Sequence, residues 1–240
     1  MKVLMIIPAY NEEKNIIKTI SKLKEIKLKD HTLDYIVIND GSTDQTKKVC
    51  KENKINMIDL PFNLGIGGAV QTGYKYAYYN NYDIAIQYDG DGQHDGNYIK
   101  DLIEEIKKGN NIVIGSRFVS ELSTFKSSKM RRLGKEILSI LIKIFTGKKI
   151  YDPTSGFRAA DKEIIKLFAN DYPSDYPEPD TIVSVIKKGY KVSEVPVKMN
   201  ERENGKSSIN PLKAVYYMIK VSLAIIVAGA STKKERKDEQ

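Results

Sequence analysis

Two aspartates stand two residues apart in Asp89-Gly90-Asp91-Gly92-Gln93. Glycines between and after them permit a tight turn, so both carboxylates can point at one divalent cation. Gln93 adds a neutral oxygen. An all-oxygen donor set of this kind suits Mg2+ or Mn2+ bridging phosphates. An Asp-x-Asp also serves simply to cap a turn, and the tripeptide alone leaves both readings open. His94, next in the chain, reads as a neighbour hydrogen-bonded to this loop rather than as a softer ligand. Asp40-Gly41-Ser42 offers another carboxylate, able to accept a base N–H or a ribose hydroxyl, or to cap the turn into the next helix. Gly65, Gly67 and Gly68 open a helix, where a phosphate can be cradled. The first strand-to-helix turn, Pro8-Ala9-Tyr10-Asn11, lacks the glycines of a dinucleotide fingerprint. Close backbone packing is therefore the expected use of those three glycines.

These residues need a frame. Val3–Ile7 is a continuous apolar run, as a strand buried on both faces requires. Asn11 reads as the N-cap of a following helix, with Glu12 and Glu13 in its first turn and Ile16, Ile20 and Leu23 at helical spacing. Further strands are predicted at 35–38, 55–58, 84–88 and 112–115. Helices are predicted between them at 44–53, 63–79 and 98–108. Alternation of this kind argues for a mostly parallel sheet flanked by helices. In such sheets ligands bind beyond the carboxyl ends of the strands. Tyr10, Asp40, Asp89, Asp91 and Arg117 all follow a predicted strand and should converge on one rim. Beyond Arg117 the pattern changes. A basic, apolar-rich helix is expected at 129–145, then a loop into a short strand by Asp161, and helices at 163–168 and 181–188. A strand at 191–197, a polar loop at 200–208, a helix at 211–227 and a charged, disordered tail at 231–240 complete the chain.

The chain has 240 residues, 41% hydrophobic and 29% charged, with mean hydropathy −0.40. That balance excludes a disordered acidic chain and a polytopic membrane protein. A single cysteine, Cys50, excludes a disulfide framework and a cysteine-based zinc site. No signal peptide is read at the start, so a cytoplasmic location is expected. The formal charge of +8 is local: residues 126–149 carry eight cations against one anion, Glu136. Such a cluster faces phosphates or anionic headgroups, or lies on a solvated helix face. Arginine is scarce, at six residues, and five of them (Arg117, Arg131, Arg132, Arg158, Arg202) lie in or beside the segments named here. Arginine's planar fork grips carboxylates and phosphates.

Six motifs occur in order: Ile6-Ile7-Pro8-Ala9-Tyr10-Asn11-Glu12, Val37-Ile38-Asn39-Asp40-Gly41-Ser42-Thr43-Asp44, Asn63-Leu64-Gly65, Asp89-Gly90-Asp91-Gly92-Gln93-His94, Gly115-Ser116-Arg117 and Thr154-Ser155-Gly156-Phe157-Arg158. As a set, over about residues 2–208, they resemble glycosyltransferase family 2 with its GT-A fold, and within it the dolichyl- or polyprenyl-phosphate sugar synthases. The resemblance implies a Rossmann-like α/β domain over 1–208, carrying an interface helix near 129–145. An amphipathic helix at 209–230 and a tail follow. It implies that Pro8, Tyr10, Glu12, Ile38, Asp40, Asp89, Gly90, Asp91, Arg117, Arg202 and Lys206 bind a nucleoside diphosphate sugar, with UDP expected and GDP open. Asp89, Asp91 and Gln93 would hold Mg2+ or Mn2+, and Arg131, Arg132 and Ser155 would meet the acceptor. Two departures stand out. Asn39 occupies the usual first aspartate of Asp-Asp-Gly-Ser, and Arg202-Glu203-Asn204-Gly205-Lys206-Ser207-Ser208 lacks its final lysine.

The implied reaction is inverting transfer, in which charge grows on the departing diphosphate. Asp91 through a metal, Arg117 and Arg202 would serve that step. A hydroxyl acceptor needs a base, for which Asp180 or Glu178 is the candidate. Both acids also read as first-turn residues of a helix beginning near Thr181. A lipid phosphate needs no base. The basic helix, with Leu133, Ile137, Leu141 and Ile144 beside its cations, and the apolar 211–227 segment both suit a membrane interface. Peripheral association with an anionic membrane at its inner face is therefore expected, and no nucleic acid. A sugar nucleotidyltransferase would want a glycine-rich loop after the first strand. A non-catalytic lipid- or nucleotide-binding module leaves Asp89 and Asp91 unexplained.

Overall fold

Strand β1 (Lys2–Ala9) is buried at every position except Lys2. It is enclosed because its alternate residues enter two different cores. Leu4 and Ile6 face one helical layer. Val3, Met5, Ile7 and Ala9 face the other. That is the physical meaning of its unbroken apolar run.

The computed structural model describes residues 1–28, 31–90, 92–119, 129–175, 177–198 and 211–231, with backbone course alone at 129–131, 211–215 and 231. Asp91, the side chain of Arg131, residues 199–210 with Arg202 and Lys206, and residues 232–240 lie outside the described residues. After β1 come α1 (Ile16–Glu25), β2 (Thr32–Asn39), α2 (Thr46–Glu52), β3 (Met57–Asp59), α3 (Gly65–Tyr79) and β4 (Ile84–Gln87). A 3-10 turn (Gly96–Tyr98) leads into α4 (Ile99–Lys107), β5 (Ile112–Ser116) and α5 (Lys129–Thr146). The chain continues through β6 (Arg158–Asp161), α6 (Lys162–Asn170), α7 (Pro177–Lys187), β7 (Val192–Pro196) and α8 (Pro211–Ser231).

The seven strands lie in the order β3-β2-β1-β4-β6-β5-β7. All pairings are parallel except those of β6, which runs antiparallel to β4 and β5. Helices α1, α2 and α4 cover one face; α3, α5, α6, α7 and α8 supply the core of the other. β1 pairs with β2 on one side and β4 on the other. The crevice beyond their carboxyl ends is therefore a topological switch point. It is bounded by Pro8-Ala9-Tyr10, by Asn39-Asp40 and by Asp89.

Two helix starts differ by four residues from the sequence reading. Asn11 does not cap α1; Asn15 stands at that position. Asn11 adopts φ 58°, and its Oδ1 accepts from the backbone N–H groups of Thr43 at 2.8 Å and Asp44 at 3.3 Å. Its own N–H donates to Ser42 Oγ at 3.0 Å. The asparagine is used to staple two loops, which displaces the helix start by four residues. α7 begins at Pro177 rather than Thr181, because proline suits the first helical position.

Helices α5 and α8 run side by side in the same direction. Gly134 lies against Met218, and Gly229, eleven residues on, against Phe145. A side chain at Gly229 would collide with the Phe145 ring, so glycine sets how closely the helices approach. Among the described residues no helix is long and apolar enough to cross a membrane.

Candidate active site

The rim is built by loops that hold one another. Glu12 N–H donates to Thr46 Oγ1 at 2.9 Å, and Gln45 N–H donates to Glu13 Oε2 at 2.9 Å. Pro8 is buried at the end of β1, with Tyr10 about half exposed beyond it. Asp40 is buried. Its Oδ1 accepts the Leu64 N–H at 2.7 Å, so it tethers the entrance of α3. Asn39 donates through Nδ2 to Asp59 Oδ1 at 2.7 Å, and Lys47 closes on the other Asp59 oxygen at 2.6 Å. That ammonium, with Asn39, holds the Asp59 carboxyl below its ordinary range. Ile38 does not reach the rim: its side chain is wholly enclosed in the core under α3.

The glycines at the start of α3 serve packing, as expected. A Cβ at Gly67 would strike the Pro173 carbonyl oxygen, and the Gly67 N–H already donates to Ser174 O at 3.1 Å. Gly90 likewise packs on β1, with an added Cβ only 3.1 Å from Pro8 O.

Asp89 stands on the exposed side of this crevice, its side chain 35% accessible. His94 Nε2 lies 2.9 Å from its Oδ2. Across from it, a Cβ built on Gly156 would sit 3.0 and 3.1 Å from the two carboxylate oxygens. The bare glycine keeps this cradle open. Asp89 and the half-buried Gln93 offer hard oxygen donors, which fit Mg2+ or Mn2+. Among the described residues no three acidic, histidine or cysteine side chains gather into a complete metal set. Asp91 stands outside those residues.

Arg117 follows β5, but its guanidinium is gripped by a carboxylate. Nε and Nη2 donate to Asp152 Oδ2 and Oδ1, each at 2.7 Å, and the Arg117 backbone N–H donates to Oδ2 at 3.0 Å. Asp152 is fully buried. Its own N–H donates to Glu194 Oε1 at 2.8 Å. Burial opposes the guanidinium charge, yet the hydrogen bonds and charge of Asp152 outweigh it and hold the arginine above its ordinary pKa; Asp89 adds to this. Asp152 was missed in the sequence. The signal available was a scarce arginine in a buried setting, which needs a carboxylate partner.

The two candidate bases separate. Glu178 lies beside Gln87, whose Nε2 reaches Glu178 Oε1 at 3.4 Å. Burial raises the Glu178 carboxyl, Arg158 opposes this and Asp89 reinforces it. Asp180 is raised by burial and by the charge of Asp171. Glu178 is thus the acid brought to the rim. Ser155 is buried and donates through Oγ to Gly115 O at 2.7 Å; its carbonyl receives Arg158 Nη2 at 2.7 Å. It holds a loop together rather than presenting a free hydroxyl. Arg132 is exposed on α5.

Beside Arg117, the neighbouring Phe118 ring takes Lys135 Nζ of α5 at 4.3 Å, and Tyr217 of α8 contributes to the field at Arg117. From there both helices carry uncovered apolar stripes. On α5 these are Leu133, Ile137, Ile140 and Ile144; on α8, Tyr216, Ile219, Leu223 and Val227. Spacing by three, four and seven puts each set on one helix face.

Residues 5–168 match the sequence profile of Glycosyl transferase family 2. A UDP-N-acetylglucosamine–dolichyl-phosphate N-acetylglucosaminyltransferase of Methanococcus voltae is 33% identical over 218 residues, covering 82% of this chain and 84% of that protein. A polyprenol monophosphomannose synthase of Mycolicibacterium smegmatis is 27% identical, covering 92% and 86%. In three dimensions, glucosyl-3-phosphoglycerate synthase of Mycobacterium tuberculosis, solved with Mn2+ and UDP-glucose, superposes with TM-score 0.68 at 17% identity, covering 98% of this chain and 80% of that one. The shared fold is GT-A.

Proposed function

We propose that this chain, which belongs to Glycosyl transferase family 2 and is a glycosyltransferase, moves a sugar with inversion from a nucleoside diphosphate sugar to a polyprenyl phosphate at a membrane surface. The relatives named for a dolichyl-phosphate acceptor and a polyprenol monophosphomannose product support the acceptor class. The observation that carries it is the position of Arg117. It sits at the strand-end rim with Asp89, and the uncovered apolar stripes of α5 and α8 begin beside it. A lipid phosphate can therefore lie with its headgroup at the crevice and its chain along the helices. Two helices bind a surface where one alone is marginal.

The donor lies across the switch point, with Tyr10 and Glu12 on the nucleoside side. Asp89, Asp91 and Gln93 would hold Mg2+ or Mn2+, which would supply positive charge to the departing diphosphate. Arg117, oriented by Asp152, faces the same developing charge, and Arg202 and Lys206 would add further cations for the diphosphate. Arg131 and Arg132 serve the acceptor and the anionic surface. UDP is the expected nucleotide. The acceptor phosphate is already an anion, so no strong base is required. A second reading, transfer to a hydroxyl, is favoured by one observation: Glu178 lies beside Gln87 with its carboxyl raised. Glu178 would then take the proton.

Thermal-shift titration with UDP, GDP and their sugars, with and without Mn2+, tests the donor site. A metal-dependent rise with one nucleotide family is expected. No rise with any of them contradicts the assignment.

A further inference from the structure

His94 is buried among aromatic rings where a phenylalanine would pack as well. Its imidazole stacks on Phe157 with centroids 4.9 Å apart and 28° between planes. It meets the edge of Tyr88 at 5.5 Å, and Tyr88 itself stands edge-on to Phe157 at 5.6 Å. The Tyr88 hydroxyl donates to the His94 carbonyl at 2.6 Å, fixing backbone as well as ring. Within this box Nδ1 is buried and has no hydrogen-bond partner among the described residues. One polar contact remains: Nε2 to Asp89 Oδ2, 2.9 Å. An ionised carboxylate only accepts, so Nε2 is the donor.

Phe157 stacked on its face and Tyr88 at its edge hold the imidazole with Nε2 toward Asp89, and Gly156 lies close to the carboxylate it holds. Asp89 is therefore held through one oxygen by the imidazole, while the missing side chain at Gly156 leaves space beside both oxygens. A side chain that must meet a cation gains from such restraint, because less rotational freedom is lost on binding.

We propose that His94 is a positioning residue for divalent-cation binding: its Nε2–H fixes the Asp89 carboxylate in the orientation that receives the ion. This rests on the reading that Asp89 is a metal ligand. The test uses the whole chain and four proteins: the parent, H94Q, H94N and H94F. Free Mn2+ is measured by electron paramagnetic resonance during titration, alone and with UDP or GDP present. Nucleotide affinity without metal is measured alongside.

H94F should weaken Mn2+ binding about 10- to 100-fold, with metal-free nucleotide affinity unchanged. Glutamine can extend an amide N–H to Asp89 and should restore most of the loss. Asparagine, one methylene shorter, should not. Equal Mn2+ affinity in all four overturns the role of His94 and leaves the metal site standing. So does an H94Q protein as weak as H94N, and that pair decides alone if H94F does not fold. No Mn2+ uptake by the parent, with either nucleotide, overturns the metal site and this proposal together.

Discussion

Arg117 and Asp152 form a two-pronged ion pair, with Nε–Oδ2 and Nη2–Oδ1 both at 2.7 Å, and the carboxylate has no exposure to solvent. The pair joins the end of β5 to the loop before β6 and fixes the guanidinium within electrostatic reach of Asp89. Removing one partner of a buried pair strands the other charge. Asp152→Ala should therefore cost about 3–5 kcal/mol of stability, measured by urea unfolding. Arg117→Lys keeps the charge but loses the fork. It should lower kcat by about 10²-fold while the protein still unfolds cooperatively.

Glu178 and Asp180 discriminate the two acceptor readings. With a polyprenyl phosphate acceptor, Glu178→Gln should keep kcat within about tenfold of the parent, whereas loss of a general base costs about 10²–10⁴-fold. Asp180→Asn, whose neighbour is Asp171 rather than Asp89, should change less than Glu178→Gln. Steady-state transfer rates for the three proteins decide this.

The stripes on α5 and α8 predict surface binding. Ile140 and Leu223 are both more than half exposed, so Ile140→Glu with Leu223→Glu should shift stability by no more than about 0.5 kcal/mol per site. Flotation with phosphatidylglycerol vesicles should nevertheless fall sharply. Arg132→Glu should weaken flotation further at low salt and matter less at high salt.

Cys50 reports on the closure of the layer under α2. Burial, with the charge of Asp44, pushes its thiol up to about 11. At pH 8 the native chain should react negligibly with a thiol reagent, because the thiolate is the nucleophile. Full reaction is expected in guanidinium chloride.

Much of this molecule could be read from residues alone. β1 and β4 announce themselves by apolar runs long enough to be enclosed on both faces. The acids after β2 and β4 then follow from chain direction. What escaped was set by tertiary partners. Asn11 looks like a helix cap by its own chemistry, and only the neighbouring Thr43–Asp44 backbone gives its oxygen a different use. The four residues of β6 carry no mark of their antiparallel direction. Ile38 follows the motif spacing to a fully buried position. Asp152 sits 35 residues from Arg117, and no local pattern links them.

The most direct measurement is transfer itself. The chain would be incubated with radiolabelled UDP- or GDP-sugars, polyprenyl phosphate in vesicles and Mn2+, and the organic phase counted. The account predicts label in the lipid with one donor family, abolished by a chelator and by Asp89→Ala. No lipid-borne label with any donor, or undiminished label from Asp89→Ala, contradicts it.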